Sequence, residues 1–405
     1  MPAAGKDWLL TSEATARLAV KPQTLYAYVS RGLVRSERVP GTRISRFRRD
    51  DVERLAQRAR GTTPPGRLDV VIDTHLTLLD PDGYLAYRGW DVVDAAATSS
   101  YEAVAEWLWT GERGGAPEWW APAASVRVGK TVQRALPPTA TLPDRLRVIV
   151  SALATTDPLR YDRRPEAVAV TARAMIASLV EALPTVDGAI DPRVHSIAAR
   201  LWPRLSGMRA TSARVRALDA ALILLADHEL AASALAARVA ASTWADPYLV
   251  VGAGLAAAGG PLHGGASSAV RALLARVHGG VPATVAIGDI LRNGELVPGF
   301  GHRVYEVADP RALALLDAVE HMKPSAGLWR AANDILDVMA TRDGPNVNVD
   351  FGLAVFTEAC GMKPDAGEAI FEIARCAGLI AHGIEEYEHR LRYRPRAAYV
   401  GPPRE

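Results

Sequence analysis

The chain has 405 residues, 49% hydrophobic, 6% aromatic and 23% charged, a length that suggests two or three domains and a large core. Two cysteines exclude a disulfide framework or a Cys-rich zinc centre. The longest uncharged stretch, 247–270, is broken by glycines, Pro261 and His263, and the N-terminus lacks an apolar signal region, so a soluble cytoplasmic protein is expected.

An apolar set dominated by alanine and leucine favours helices over sheets. The net charge of +2 hides an asymmetry. Residues 1–60 carry 13 Lys/Arg and 6 Asp/Glu, a net of +7, which leaves 34 and 39, a net of −5, for the other 345. Such an imbalance suggests a partner for the first segment alone.

Residues 8–57 read as an independent unit. Thr11-Ser12-Glu13 opens a short helix, and Pro22 starts a second one, Gln23 to Ser30, stopped by Gly32. A hairpin wing follows, from Val34-Arg35-Ser36 through Pro40-Gly41-Thr42 to Ile44-Ser45-Arg46-Phe47, and Asp50-Asp51 starts a closing helix. The unit resembles the winged helix-turn-helix module of the MerR and excisionase type. That resemblance implies that Gln23, Thr24 and Tyr28 face a DNA major groove. It also implies that Arg43, Arg46, Arg48 and Arg49 meet phosphates or the minor groove. A solvated basic face, or contacts with other protein surfaces, would account for the same charges.

Residues 58–66 form a linker by composition. Leu68–Ile72 and Thr74–Leu79 then read as short strands before an Asp-Pro-Asp-Gly turn at 80–83. Ser99 with Glu102 reads as a capping box for a helix that ends before Gly111. Residues 112–215 are Ala/Leu-rich helix patterns without evident chemistry. A helical run from about Ala213 reads through Ala226-Asp227-His228-Glu229-Leu230 into Ala231-Ala232-Ser233.

Three stretches carry the chemistry: Gly-Gly-Pro-Leu-His-Gly-Gly-Ala (259–266), Val-Pro-Gly-Phe-Gly-His-Arg-Val-Tyr (297–305) and Asn-Val-Asp-Phe (348–351). Each sets one titratable group, His263, His302 or Asp350, among residues that allow close backbone approach. Two imidazoles and a carboxylate suit proton removal beside a carbonyl, the acid taking the proton and the rings bonding the oxygens that become negative. Asp309 is a natural N-cap and Pro310 a natural first helical residue, which puts Arg311 in a first turn suited to a small diacid. Asp350 would by itself serve as the cap of the helix Phe351–Cys360.

In order and spacing these stretches resemble the signature regions of citrate synthases, over residues 67–405 and least around 112–200. Tyr87-Arg88-Gly89, Ala226-Asp227-His228-Glu229, Ala374-Arg375 with Gly378 and His382, and Arg394-Pro395-Arg396 with Tyr399 and Gly401 add to it. The resemblance implies a mainly α fold: a winged helix-turn-helix domain (1–60), a linker (61–66), a large domain (67–264 and 361–405) and a small domain (265–360). It implies condensation of acetyl-CoA with oxaloacetate, followed by hydrolysis to citrate and CoA, with no cofactor and no metal. Asp350 would take the methyl proton, His263 would bond the enol oxygen, and His302 would polarise the oxaloacetate carbonyl. His228, Arg311 and Arg375 would hold oxaloacetate, with Arg394 contributed across a homodimer. Val297, Pro298, Gly299 and Gly301 would line the CoA site.

The chain departs from the family pattern at Ala231, Ser267, Ser268 and Val347. Propionyl-CoA as substrate, giving 2-methylcitrate, and a transcription regulator whose body senses a metabolite are the alternatives. His382, Glu385, Glu386 and His389 share a helix face and could hold a metal, but no second Glu-x-x-His helix accompanies them. A packed helix is therefore preferred there.

Overall fold

The computed structural model describes residues 8–18, 20, 22–30, 33–38, 45–52, 71–115, 117–187, 196–260, 266–342, 344–389 and 393, the side chains of Gln23, Ala27, Ser30 and Ala266 excepted. Two units separate, residues 1–73 and 74–405. Among the described residues no helix is long and apolar enough to cross a membrane.

In the first unit, helices Thr11–Leu18 and Pro22–Ser30 stand where the capping residues predict them. Strands Ser36–Arg38 and Ser45–Arg48 pair antiparallel, with Ser36 opposite Phe47. A third strand, Trp8–Leu10, which its three residues do not announce, pairs with the other edge of Ser45–Arg48. Leu9, Ala14, Leu18, Leu25, Val34, Phe47 and Val52 close a small core. Asp51 locks the sheet to the start of the last helix by accepting from the Arg35 amide (3.0 Å) and from its Nε (2.8 Å) and Nη2 (3.0 Å). The wing turn with Arg43, and the closing helix beyond Val52, lie outside the described residues.

The second unit is built around the helix Ala366–His389, in which 20 of 24 residues are buried. Its buried charged residues, Glu372, Arg375, His382, Glu385 and Glu386, sit among apolar neighbours on every other side, as suits a helix inside a core. Helices Tyr101–Thr110, Leu142–Leu153, Pro165–Ala182, Ser212–Leu225, Ala232–Ser242 and Pro247–Ala258 pack around it. Close packing depends on small residues: a Cβ on Gly254 would stand 2.5 Å from Leu379 Cδ1, and one on Gly383 would stand 3.1 Å from Val250. Helices Ala266–His278, Pro310–His321, Ala326–Ala340 and Val349–Ala359 form a further layer, with Pro310–His321 packed on both Val349–Ala359 and Ser212–Leu225.

Three local expectations change. Residues 71–76 are not a strand, and pairing starts only at Thr77–Asp80, which turns at Gly83 (φ +86°) into Tyr84–Tyr87. The upstream backbone finds a side chain instead: His75 N–H and the Thr74 hydroxyl both donate to Glu385, at 2.8 Å each. The cap of Tyr101–Thr110 is Ser100 rather than Ser99, because Ser99 closes the preceding helix Val92–Thr98. Glu102 is drawn away to the Ile197 amide. The run from Ala213 stops at Leu225 and resumes at Ala232. Its terminal carbonyls are claimed from outside, by the Tyr87 hydroxyl on Ile223 (3.1 Å) and Arg375 Nε on Leu225 (3.0 Å). The Gly378 amide takes Ala226 (3.1 Å), so His228 lies on a break and not on a helix.

Candidate active site

The site is assembled from two segments laced together. Phe300 and Val347 form an isolated antiparallel bridge. Gly301 N–H donates to Asn346 O (2.7 Å), Asn348 N–H to Gly299 O (2.9 Å), and Asn348 Nδ2 to Gly301 O (2.9 Å). Gly299 and Gly301 have φ +85° and +90°, which side chains disfavour, and a Cβ on Gly299 would stand 3.0 Å from both Phe351 Cβ and Val270 Cγ2. Of the proposed CoA-site residues, Val297 and Gly299 are buried, while Pro298 and Gly301 are half-buried. Asn348 is also the cap of Val349–Ala359, accepting from Asp350 N at 3.1 Å. Asp350 is therefore relieved of the capping task that its position suggests, and lies within the first turn.

His302 has one fixed tautomer. The amides of Val304 and Tyr305 both donate to its Nδ1, each at 3.0 Å. That nitrogen is an acceptor, and the neutral ring carries its hydrogen on Nε2. Burial, and then the Arg311 charge, push the His302 pKa below its ordinary value, which favours that neutral form. Its ring stacks on Tyr305 (4.4 Å between centroids) and meets His228 edge-on (5.1 Å). The Tyr305 hydroxyl lies 3.3 Å from His228 Nε2.

Asp309 caps the helix Pro310–His321 and grips Arg311, accepting from its amide (3.0 Å), Nε (3.0 Å) and Nη2 (2.8 Å). Its Oδ2 also accepts from Val349 N at 3.1 Å, tying this helix start to the one that carries Asp350. Burial raises the Asp350 pKa to about 6, with Arg311 opposing and Asp309 adding to the rise. Among the described residues no group donates to the Asp350 carboxylate. Arg375 is 1% exposed, stacks on Phe371 at 4.7 Å and bonds Leu225 O through Nε. Its Nη1 is buried without a partner among the described residues, as suits a cation awaiting an anion.

The structure thus gathers His228, His302, Arg311 and Asp350 around Tyr305, Asp309 and Asn348, with Arg375 against the same helix break. His263 and Arg394 lie outside the described residues. Sequence reading passes over Tyr305, and treats Asp309 only as a cap. The Asp-Pro-Arg spacing could have signalled its second task, since an aspartate two residues before an arginine in a first turn can cap and pair at once. The departures from the family pattern are accommodated: Ala231 starts its helix without a side-chain cap, Ser268 bonds Glu368 (2.9 Å), Ser267 is buried, and Val347 forms the bridge to Phe300.

The helix face that could have held a metal is an ion-pair network instead. Arg238 donates to His382 Nδ1 (3.0 Å), to Glu386 (3.2 Å) and to Glu385. No group of three or more His, Cys, Asp or Glu among the described residues could hold a metal ion. In the first unit, Arg46 and Arg48 flank Trp8 at 5.1 and 5.7 Å, and Arg46 also pairs with Glu37. Thr24 is exposed, whereas Tyr28 packs against the small core, so it offers the outside only part of its ring. The side chain of Gln23 lies outside the described residues.

The buried helix at the centre, the neutral histidine and the elevated aspartate define a helical enzyme of acid–base chemistry on a small anionic substrate. The family model for "Citrate synthase, C-terminal domain" matches residues 68–396, and the chain belongs to the citrate synthase family. It is 31% identical over 348 residues to a citrate synthase of Acidithiobacillus ferridurans, spanning 79% of this chain and 90% of that one. To a citrate/2-methylcitrate synthase of Bacillus subtilis it is 31% identical, over 84% of this chain and 96% of that one. It superposes with a TM-score of 0.68 and 27% identity on the citrate synthase of Thermoplasma acidophilum in ternary complex with carboxymethyl coenzyme A and oxaloacetate, covering 83% and 95% of the two chains.

Proposed function

We propose that this protein condenses acetyl-CoA with oxaloacetate and hydrolyses the citryl thioester to citrate and CoA. Asp350 removes a methyl proton from the thioester, and His263 bonds the enol oxygen as it forms. The carbon so released attacks the oxaloacetate ketone, and His302 gives its Nε2 hydrogen to the new alkoxide. Water then cleaves the thioester. Arg311, Arg375 and His228 hold the two carboxylates together with Arg394 of the partner subunit in a homodimer. Residues 265–360 close as a small domain over 67–264 and 361–405, with the CoA lying along 297–301. No cofactor beyond the acyl-CoA co-substrate is needed.

One observation carries the reading. His302 can donate only from Nε2, while Asp350, raised to about 6, shares with it the Asp309–Arg311 pair as electrostatic neighbours. A neutral donor, and a base whose carboxylate has no donor among the described residues, are the two groups that an enolisation needs. The test is release of free CoA thiol from acetyl-CoA and from propionyl-CoA, with and without oxaloacetate. Thiol released only with oxaloacetate supports the reading, and no release from either thioester overturns it. Propionyl-CoA is the second thioester in the test because the chain is 31% identical to an enzyme named for both citrate and 2-methylcitrate, and one methylene is worth only about 1–3 kcal/mol in a pocket.

For residues 1–60 we infer a winged helix-turn-helix module that binds DNA. Two helices joined by three residues, then paired strands with Arg46 and Arg48 beside Trp8, support this. A metabolite-sensing regulator is the second reading of the whole chain, and the thiol assay separates it from an enzyme.

A further inference from the structure

Beneath His228 lies a buried set of polar groups that the chemistry above does not use. Asp227, fully buried, accepts from the Thr77 hydroxyl at 2.5 Å and from the Glu229 amide at 3.1 Å. Its backbone is held as well: Asp227 N and O both bond the Tyr87 hydroxyl, at 3.1 and 3.0 Å. Glu229 has φ +55°, so the chain reverses sharply just after His228 and holds that shape against its own preference.

On the other side stands the central helix. Arg238 Nε donates to His382 Nδ1 at 3.0 Å, which places the imidazole hydrogen on Nε2, 3.2 Å from Asp227 Oδ1 along a bent approach. Gly378, one turn before His382, lies so close to the break that a Cβ there would overlap both Asp227 Oδ1 and the Ala226 carbonyl. Arg375, one turn earlier again, bonds Leu225 O. The carboxylate therefore sits where the His228 break and the Arg375 helix are pressed together.

We propose that Asp227, backed by His382 and Arg238, is the positioning residue that sets His228 and Arg375 at a fixed separation, and with it the grip on the dicarboxylate. This rests on the citrate synthase reading for the identity of that ligand. Asp227 touches no substrate. It acts by fixing the reversal that carries His228 against the helix that carries Arg375, close enough for its charge to offset in part the burial that lowers the Arg375 pKa.

The test uses the full chain and two readouts, oxaloacetate binding by calorimetry and the KM values for both substrates. Asp227→Asn keeps the shape and the Thr77 acceptor but removes the charge. It raises the oxaloacetate Kd and KM roughly tenfold or more, the order of losing one charge-assisted hydrogen bond, and leaves the acetyl-CoA KM unchanged. A purely structural role predicts a lower melting temperature with an unaltered oxaloacetate Kd in the folded fraction, and that result overturns the proposal. If Asp227→Asn does not fold, Thr77→Val removes only the hydroxyl donor, and an oxaloacetate Kd unchanged there overturns it equally. Wild-type protein that binds oxaloacetate yet releases no CoA ends the condensation reading while the binding arm still decides this one. Wild-type protein that binds no oxaloacetate overturns both.

Discussion

Asp309 occupies one whole edge of the Arg311 guanidinium, so only the hydrogens on Nη1 and one on Nη2 are left for a ligand. The arrangement resembles a vice: a fixed anion aims a buried cation while its second oxygen anchors the neighbouring helix at Val349. Asp309 titrates low because Arg311 outweighs the burial that pushes it up.

Asp309→Ala leaves Arg311 buried without a counter-charge and uncaps a helix. Stability should fall by about 3–5 kcal/mol, read by urea unfolding. Oxaloacetate affinity should fall in parallel, because Arg311 is no longer aimed.

Asp350→Ala should abolish condensation and leave oxaloacetate binding nearly intact. The isosteric Asp350→Asn tests the electrostatics. The folded acid has a pKa of about 6, above the ordinary value near 3.9, so the folded state holds this proton more tightly than the unfolded chain does. Stability contributed by the proton is present below about pH 4 and is lost as pH rises through about 6. Above that the ionised, buried carboxylate weighs against folding by up to about 3 kcal/mol. Asp350→Asn should therefore melt higher than wild type at pH 7.5, and the advantage should shrink on acidification. Wild-type kcat/KM for acetyl-CoA should drop as pH falls through about 6, where the base takes up its proton.

Gly299→Ala should cost about 1–3 kcal/mol and raise the acyl-CoA KM, since both its φ of +85° and the 3.0 Å approach to Phe351 exclude a methyl group. Gly280→Ala, with φ +99° but nothing within 4 Å, separates backbone strain from crowding: it should lower the melting temperature while both KM values hold.

The full chain should retard duplex DNA in a gel-shift assay, more weakly as salt rises. Replacing Arg46 and Arg48 by alanine should reduce the slope of log affinity against log salt by about 1–2, one phosphate contact per arginine. An unchanged slope would assign those arginines to Trp8 and Glu37 alone.

Most of the helical punctuation is local chemistry and is legible in the sequence. Asp309-Pro310 starts a helix because the aspartate accepts the first free amides and proline needs no partner there. The break at 226–231 is not legible, since the run from Ser212 to Leu225 is rich in Ala, Leu and Arg with no Gly or Pro to end it, and what stops it is Tyr87, Arg375 and Gly378, distant in the chain. The same holds for Thr74 and His75, whose segment has a strand's composition but bonds Glu385, some three hundred residues on. The candidate residues His302, Arg311 and Asp350 could be picked from motif and spacing. That Asn348, and not Asp350, caps its helix depends on how residues 346–348 lie against Gly299 and Gly301.

Two main-chain amides occupy the only free lone pair of His302. The ring consequently has a single door for hydrogen, and cannot pass one through from its far side as a relay would. Whatever it surrenders at Nε2 must return by that same atom, from solvent entering the cleft or from the departing product. Rearming of such a donor would therefore be confined to the cleft side of the ring, where the water that cleaves the thioester also enters.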